Sequence, residues 1–198
     1  MRSGGTVLLA AGDFPRKGGA AWRILAAARR VVCCDGAADE YRRRFRKEPD
    51  AVVGDGDSVR GRFANFVRND EQDTNDLEKA VAFCEARGWK AHVVLGATGK
   101  REDHTLGNVF RALGLGLVVV SDFGRFVPVE GCASFRVRRG AAVSVFAPDP
   151  ATRMKSRGLE WPLDDVRFEN LYCATLNRAS AARVSLEATR RVYVYFAS

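Results

Sequence analysis

The hydrophobic pattern changes once along the chain, close to residue 123. Before that point, short apolar runs alternate with segments in which apolar residues recur every three or four positions. The runs are rich in valine and do not alternate with polar residues, which is typical of strands buried on both faces of a parallel sheet. After residue 123, short alternating runs are bounded by Gly, Pro, Asp or Asn, the pattern of an antiparallel sandwich or barrel. We therefore predict an α/β domain with a mostly parallel sheet over residues 1–124, followed by a small all-β sandwich domain over residues 125–198.

The first region is predicted to place helices on both faces of its sheet, because strands and helices alternate along it. The strands are predicted at 6–11, 31–35, 51–53, 91–96 and 115–121. The helical segments are predicted at 20–30, 36–47, 60–68, 73–88 and 102–114. In the second region, alternating runs fall at 126–131, 133–140, 141–148, 166–178, 182–188 and 190–197.

Composition narrows the classes of function. The chain has 198 residues, is 46% apolar and carries a formal net charge of +8. This charge favours an anionic partner: a nucleic acid, an acidic membrane surface or a phosphorylated small molecule. No apolar run approaches twenty residues, and the five cysteines lack CxxC spacing, so we expect no membrane span, disulfide framework or structural zinc site. A cytoplasmic protein with reduced thiols is the expectation.

Polar clusters follow four of the predicted strands of the first region. They are Gly12-Asp13, Asp35-Gly36-Ala37-Ala38, Gly54-Asp55-Gly56-Asp57-Ser58 and the stretch from Gly96 to His104. The carboxyl ends of parallel strands meet at one edge of a sheet, where ligands bind in such folds. Any one cluster could be an ordinary turn, but four at one edge favour a functional site.

The predicted helix at 73–88 adds polar residues to that edge. Gln72, Asp73, Asp76 and Lys79 are spaced to share one face over its first two turns. A capping pair of Asn75 and Glu78 would explain part of this acidity, but not its coincidence with a second acidic loop.

Several of these acidic residues are predicted to meet in one cleft, where cations would be needed to offset their negative charge. Asp55, Asp57, Asp73, Asp76 and Asp103 would repel one another strongly in one cleft. Oxygen ligands without cysteine or paired histidines favour Mg²⁺ bridging substrate phosphates, and the cationic side chains would then face those phosphates. These side chains are Lys79, Lys100, Arg101 and His104. The stretch Gly96–Lys100 is not a Walker A loop, because Val94 and Arg101 occupy positions that require a glycine and a Ser or Thr.

The motifs, taken in order, resemble those of the thiamine pyrophosphokinase family. The matching stretches are CDGAAD (34–39), PDAVVGDGDSV (49–59), EQDTNDLEKA (71–80), LGATGKREDHTLGN (95–108), GLEWPL (158–163) and TLN (175–177). The resemblance implies transfer of a pyrophosphoryl group from ATP to the hydroxyl of thiamine, giving thiamine diphosphate and AMP. It also implies an ATP- and Mg²⁺-binding α/β domain, a β-sandwich domain for thiamine binding and dimerisation, and a homodimer with thiamine near the subunit interface.

The resemblance also implies roles for individual residues. The metal ligands would be Asp55, Asp57, Asp76 and Asp103, with Asp73 as a further member of the catalytic group. The residues facing the ATP phosphates would be Lys79, Arg101 and His104. The nucleotide side would be lined by Asp35, Gly36, Thr98, Arg101, Thr105 and Asn108. The thiamine contacts would be Gln72, Asp76, Trp161, Thr175 and Asn177, with the Trp161 ring packed on the thiamine cation.

The sequence departs from the family pattern at two places. Gly99-Lys100-Arg101-Glu102 stands where the family usually has Gly-Gly-Arg before the Asp-His pair. Leu176-Asn177 stands where the family commonly has Ser-Asn, which removes a hydroxyl from the expected thiamine pocket.

Other functions remain as alternatives at this point. A Mg²⁺-dependent phosphohydrolase would use the same acidic cleft with water as the acceptor. A basic nucleic-acid-binding module is less favoured, because clustered acids would repel a phosphate backbone.

Overall fold

A computed structural model of the chain describes residues 5–198. These residues form two compact units, divided between Asp122 and Phe123. We call them the α/β unit and the β unit and describe each by itself.

The α/β unit is built on a parallel six-stranded sheet. The strands are β1 (Thr6–Leu9), β2 (Arg30–Cys34), β3 (Ala51–Gly54), β4 (Phe66–Arg68), β5 (Ala91–Leu95) and β6 (Val118–Val120). Their order across the sheet is β6-β5-β1-β2-β3-β4, and each neighbouring pair is parallel. The helices are α1 (Ala20–Ala26), α2 (Ala37–Phe45), α3 (Asp76–Ala86) and α4 (Glu102–Gly114). The predicted α/β class is confirmed.

The valine-rich strands are buried as the pattern predicted. Leu8, Val32, Val52 and Val94, from four adjacent strands, are fully buried. Side chains of these strands gain most from burial when both faces of the sheet are covered, which explains the absence of polar alternation.

The helical segment predicted at 60–68 is wrong. Its end forms β4, in which Phe66 pairs with Val52 of β3. The backbone N–H groups of Arg60 and Gly61 are bound by the Asp39 carboxylate at 2.7 and 2.9 Å. The spacing of Phe63, Phe66 and Val67 imitates a helical stripe, but a side chain and a neighbouring strand take the hydrogen bonds that a helix would need.

The β unit contains five strands, which confirms an all-β region. They are β7 (Gly124–Arg136), β8 (Ala142–Phe146), β9 (Met154–Arg157), β10 (Ala174–Arg178) and β11 (Arg183–Ala197). The long strands β7 and β11 pair antiparallel, and the register shifts between Ala188 and Val192. The first part of β11 also pairs with β9, and its second part pairs with β8, which in turn pairs with β10.

One core fills the β unit. Met154, Val145, Leu186 and Val194, which come from both parts of this strand system, belong to the same buried cluster. The strand system therefore closes over a single core. The runs predicted at 182–188 and 190–197 are one strand, and of the run at 166–178 only Ala174–Arg178 is a strand.

All five cysteines are free thiols. Cys33, Cys34 and Cys84 are buried, whereas Cys132 and Cys173 are exposed. Burial raises the pKa of the Cys33 and Cys34 thiols, so both stay protonated and unreactive. Within the described residues, no helix is long and apolar enough to cross a membrane.

Candidate active site

The loops that follow β1 and β5 are joined at the carboxyl edge of the parallel sheet. The backbone N–H of Gly12 donates to the Gly96 carbonyl at 2.7 Å, and that of Asp13 donates to the Thr98 carbonyl at 2.7 Å. The Lys100 ammonium donates to the Ala11 carbonyl at 2.6 Å. Because β5, β1, β2 and β3 are neighbours in that order, the four predicted clusters do lie along one edge.

Asp35 holds the acidic loop 54–58 against the end of β2. Its Oδ2 accepts a hydrogen bond from the Ser58 N–H at 2.7 Å. A Cβ atom at Gly54 would lie 2.8 Å from the Cβ of Asp35, so only glycine permits this approach. Asp35 is buried, and its Oδ1 has no hydrogen-bond partner. A buried carboxylate oxygen left in this state is costly unless a ligand satisfies it.

The acidic loop is closed by one of its own carboxylates. Asp55 Oδ1 accepts a hydrogen bond from the Asp57 N–H at 3.0 Å, and Gly56 between them has a φ of 92°. The glycine supplies the left-handed conformation that this turn requires. Asp55 is half-buried and Asp57 is exposed.

Helix α3 presents Asp76 and Lys79 in its first turn. The helix begins at Asp76, three residues after the predicted start, behind a capping box: Asn75 Oδ1 accepts from the Glu78 N–H at 3.0 Å, and Glu78 Oε2 accepts from the Asn75 N–H at 3.2 Å. Lys79 Nζ lies 3.8 Å from Asp76 Oδ1, and the Lys79 side chain is only 3% exposed. A buried ammonium beside a carboxylate is unusual on a surface helix, which makes this turn a candidate for a functional role.

Three carboxylates act on one another at this edge. Burial raises the pKa of Asp76 above its usual value, the charges of Asp35 and Asp55 raise it further, and the Lys79 ammonium lowers it. Asp35, Asp55 and Asp76 therefore form a concentration of negative charge, which we call the carboxylate cluster. Gln72 and Asp73, in contrast, are exposed and precede the helix.

Asp103 is engaged by Arg101. Two hydrogen bonds join the Arg101 guanidinium to the Asp103 carboxylate, at 2.5 and 3.0 Å, and the His104 N–H donates to it at 2.8 Å. These bonds lower the pKa of Asp103 to about 2. Both members of the pair are 65% exposed, so the pair is open to solvent and to exchange of partners.

Of the residues predicted to line the nucleotide side, Thr105 organises the loop before α4. Thr105 Oγ1 accepts from the Gly99 N–H at 3.0 Å and donates to the Arg101 carbonyl at 3.0 Å. Gly36 lies against Ser58, whose carbonyl oxygen a Cβ at that glycine would approach to 2.9 Å. Thr98 and Asn108 are half-buried.

The donor chemistry of the carboxylate cluster suits a hard cation. Its ligand atoms are carboxylate oxygens, and one of them, Asp35 Oδ1, is buried without a partner. Over residues 5–198, however, no group of three or more His, Cys, Asp or Glu side chains is arranged to hold a metal ion. The predicted metal ligands Asp55, Asp57, Asp76 and Asp103 therefore remain a prediction.

The predicted thiamine contacts of the β unit differ in exposure. Trp161 is 53% exposed, whereas Asn177 is 3% exposed. Thr175 is half-buried and its hydroxyl donates to the Tyr172 carbonyl at 2.9 Å. Leu176, at the family's usual Ser position, is 84% exposed with a φ of 60°.

The structure shows two features that the sequence did not suggest. An ion pair of Glu78 and Arg111 joins α3 to α4 and lowers the pKa of Glu78. A groove in the β unit is lined by residues of β7, β9 and β11 together with Asp164, and none of the predicted thiamine contacts lines it. Its lining includes Cys132, Ser134, Lys155, Arg157, Ser185 and Glu187. Sequence periodicity reveals neither feature, because the ion pair depends on the approach of two helices and the groove depends on the register between strands.

Sequence models of one family match both units. The model of the thiamin pyrophosphokinase catalytic domain matches residues 21–115, and that of the thiamin pyrophosphokinase substrate-binding domain matches residues 124–195. The two matches follow the division into units and together take in most of the chain.

Individual proteins are similar to the chain as well. Thiamine pyrophosphokinase 1 of Oryza sativa subsp. japonica is 27% identical in an alignment 176 residues long, which covers 70% of this chain and 67% of that protein. Thiamine pyrophosphokinase 3 of the same plant is 35% identical in an alignment 109 residues long, which covers 39% of this chain and 40% of that protein. The structure of thiamin pyrophosphokinase from Candida albicans superposes with a TM-score of 0.82 at 14% identity, covering 98% of this chain and 89% of that one, and so shares the fold.

These comparisons confirm the resemblance and the enzyme class that the motifs predicted, and they do not favour the phosphohydrolase. The chain belongs to the thiamin pyrophosphokinase family of ATP-dependent pyrophosphoryl transferases.

Proposed function

We propose that the carboxyl edge of the parallel sheet is where this chain transfers the pyrophosphoryl group of ATP to the hydroxyl of thiamine, giving thiamine diphosphate and AMP. The observation that supports this place most strongly is the carboxylate cluster beside the buried ammonium of Lys79. Negative charge at this density needs a cation, and a polyphosphate substrate brings one.

We further propose that Mg²⁺ is held at this edge by Asp55, Asp57, Asp76 and Asp103. Bound there, the ion would neutralise ATP oxygens and stabilise the charge that builds on the leaving phosphate. Asp103 would first have to leave Arg101, and the freed guanidinium would then be available to phosphate oxygens.

The chain's own side chains would supply the remaining steps. The thiamine hydroxyl oxygen attacks the β-phosphorus, a new P–O bond forms, and the bond from that phosphorus to the oxygen shared with the α-phosphate breaks to release AMP. Asp76 would orient the hydroxyl or accept its proton, which only a carboxylate oxygen that does not hold the ion can do. Lys79, Arg101 and His104 would balance charge on the transferred phosphates, with Asp73 close to them in sequence.

The nucleotide and thiamine contacts are likewise proposals. Asp35, Gly36, Thr98, Thr105 and Asn108 would line the nucleotide side of the α/β unit. Gln72 and Asp76 in the α/β unit, and Trp161 and Thr175 in the β unit, would contact thiamine. The exposed indole of Trp161 provides an aromatic face for a cationic ring.

We also propose that the protein is a cytoplasmic homodimer in which the β unit carries the dimer contacts. Three buried free thiols fit a reducing compartment. Light scattering on purified protein tests the dimer, which predicts about twice the mass of one chain.

The reaction is tested with purified protein, ATP and Mg²⁺, with and without thiamine, by following AMP and thiamine diphosphate by chromatography. Equal amounts of both products, formed only when thiamine is present, are expected. Release of phosphate or ADP regardless of thiamine would instead mean that water is the acceptor, as in a phosphohydrolase.

A further inference from the structure

The segment Gly158–Trp161 lies along the end of β10 as an additional, short antiparallel pairing. The Ser180 N–H donates to the Gly158 carbonyl at 2.9 Å, and the Glu160 N–H donates to the Arg178 carbonyl at 2.8 Å. Leu159 and Ala179 form an isolated bridge between these two bonds. The backbone of the segment is thus fixed up to Glu160.

The strand β10 cannot continue this pairing to Trp161 with its own backbone. Its register against β8 shifts between Ala174 and Asn177, so that Thr175 and Leu176 stand opposite the single residue Ser144. Leu176 occupies the left-handed region with a φ of 60°, as one residue of such a bulge often does. The bulge diverts the backbone of β10 just where Trp161 would be its partner.

The side chain of Asn177 takes the place of the missing backbone. Its Oδ1 accepts from the Trp161 N–H at 3.2 Å, and its Nδ2 donates to the Trp161 carbonyl at 2.7 Å. The same Oδ1 accepts from the Arg178 N–H at 2.8 Å. A primary amide carries both a donor and an acceptor, as a peptide group does, and so can pair with both polar backbone groups of one residue.

We infer that Asn177 is a positioning residue that locks the backbone of Trp161, so that the exposed indole is held ready for thiamine. The role predicted for it, a direct thiamine contact, does not fit its geometry, because Asn177 is 3% exposed and both ends of its amide are bonded to backbone. This inference rests on the proposed function, in which Trp161 packs on thiamine.

The effect of replacing Asn177 depends on the hydrogen bond that its Nδ2 donates to the Trp161 carbonyl. An aspartate at position 177 keeps the shape and the acceptor but has no donor for the Trp161 carbonyl, and it places its charge beside that oxygen. The indole then samples several orientations, and binding of thiamine is weakened while binding of ATP is not.

The test compares Asn177→Asp with Asn170→Asp. Asn170 is exposed and uses only its acceptor in its side-chain bond, from the Tyr172 N–H at 3.1 Å, so an aspartate there preserves the bond and serves as the matched control. For Asn177→Asp we expect the KM for thiamine to rise about tenfold, with kcat and the KM for ATP within about twofold of the wild type. For Asn170→Asp all three values stay at the wild-type level. An unchanged KM for thiamine in Asn177→Asp overturns the inference.

A double-mutant cycle separates positioning from direct contact. In a Trp161→Ala background, Asn177→Asp should add no further rise in the KM for thiamine, because the side chain that Asn177 positions is absent. An equal rise in both backgrounds would mean that Asn177 acts on thiamine by itself. If the aspartate variant fails to fold, Asn177→Ser replaces it in the same cycle. The serine side chain is too short to reach both backbone groups of Trp161, so the same result is expected.

A spectroscopic measurement tests the positioning role of Asn177 independently of the proposed reaction. The chain has three tryptophans, so fluorotryptophan labelling gives three resonances, and Trp161→Phe assigns the one from Trp161. Asn177→Asp should shift or broaden that resonance alone, and Asn170→Asp should leave it unchanged. If the wild type makes no thiamine diphosphate, the proposed function fails; if the Trp161 resonance ignores Asn177→Asp, the positioning role fails.

Discussion

In the α/β unit the proposed site residues are charged side chains on loops, whereas in the β unit they are an aromatic ring and a neutral amide. The carboxylate cluster of Asp35, Asp55 and Asp76 is held together against its own repulsion, with Lys79 as a buried counter-charge. Trp161 is held by two hydrogen bonds to a side chain that is itself uncharged. A phosphoryl transfer requires stabilisation of the charge that develops on the phosphate oxygens. Selection of the acceptor requires a binding surface of fixed geometry. From this difference we expect substitutions in the carboxylate cluster to act mainly on kcat, and substitution of Trp161 in the β unit to act mainly on the KM for thiamine.

The largest effect is expected from Asp55→Asn. The substitution removes a charge from the carboxylate cluster but keeps the Oδ1 that binds the Asp57 N–H, so the loop stays closed. Turnover should fall by about three orders of magnitude, measured as thiamine diphosphate formed at saturating ATP, Mg²⁺ and thiamine. Asp70→Asn, an exposed aspartate paired with Arg68, is the control and should retain full turnover. Turnover of Asp55→Asn near that of the control would remove the metal role.

Lys79→Met should reduce kcat by about a hundredfold, because the buried ammonium beside Asp76 is lost. Methionine fills a similar volume, so the fold should persist, as a circular dichroism melt would show. Lys90→Met replaces an exposed lysine and should leave kcat unchanged. A rise in the KM for thiamine with kcat unchanged would break the division between the two units.

Trp161→Ala should raise the KM for thiamine about tenfold and leave kcat at saturation within about threefold, since a stacked aromatic ring contributes to binding rather than to the chemical step. Steady-state kinetics with thiamine varied at fixed saturating ATP measure both constants. Leu171→Ala truncates another exposed apolar side chain of the β unit and should change neither. A hundredfold loss of kcat in Trp161→Ala would place chemistry in the β unit.

The smallest effect is expected from Asn75→Ala, which removes the side-chain cap of α3. The free energy of unfolding should fall by about 1 kcal/mol, measured from the urea midpoint. Asn75→Ser restores a capping hydroxyl and should recover most of it. Because Asp76 and Lys79 remain in the helix, kcat should change far less than in Lys79→Met; an equal loss would mean that the cap itself sets the geometry of the site.

The elements of the α/β unit were largely predictable because burial of its strands and helices imposes a recognisable hydrophobic pattern on the sequence. Valine runs such as that of β2 are apolar on both faces, and α3 carries its buried stripe of Leu77, Ala80 and Cys84 at helical spacing. In the β unit, β9 has the sequence Met-Lys-Ser-Arg, whose single apolar residue gives no pattern. Only its pairing with β11 makes it a strand.

The parts of the site that sequence could not predict depend on partners distant in the chain. That Asp35 is a buried acid with an unpaired oxygen follows from the approach of Gly54, and the pattern of residues 34–39 does not reveal it. The positioning role proposed for Asn177 depends on the bulge at Leu176 and on a segment sixteen residues earlier. The motifs identified these residues as candidates for the site. The contacts that each side chain makes depend on tertiary hydrogen bonds, which the motifs do not show.

The most direct test of the separation between the units is the equilibrium binding of thiamine to Asp55→Asn and to Trp161→Ala, measured by calorimetry in the presence of Mg²⁺ and a non-hydrolysable ATP analogue. Asp55→Asn, which has lost turnover, should bind thiamine within about threefold of the wild type, while Trp161→Ala should bind about tenfold more weakly. If Asp55→Asn loses thiamine affinity as severely as Trp161→Ala does, charge and acceptor recognition are not separate, and the division of roles between the two units is wrong.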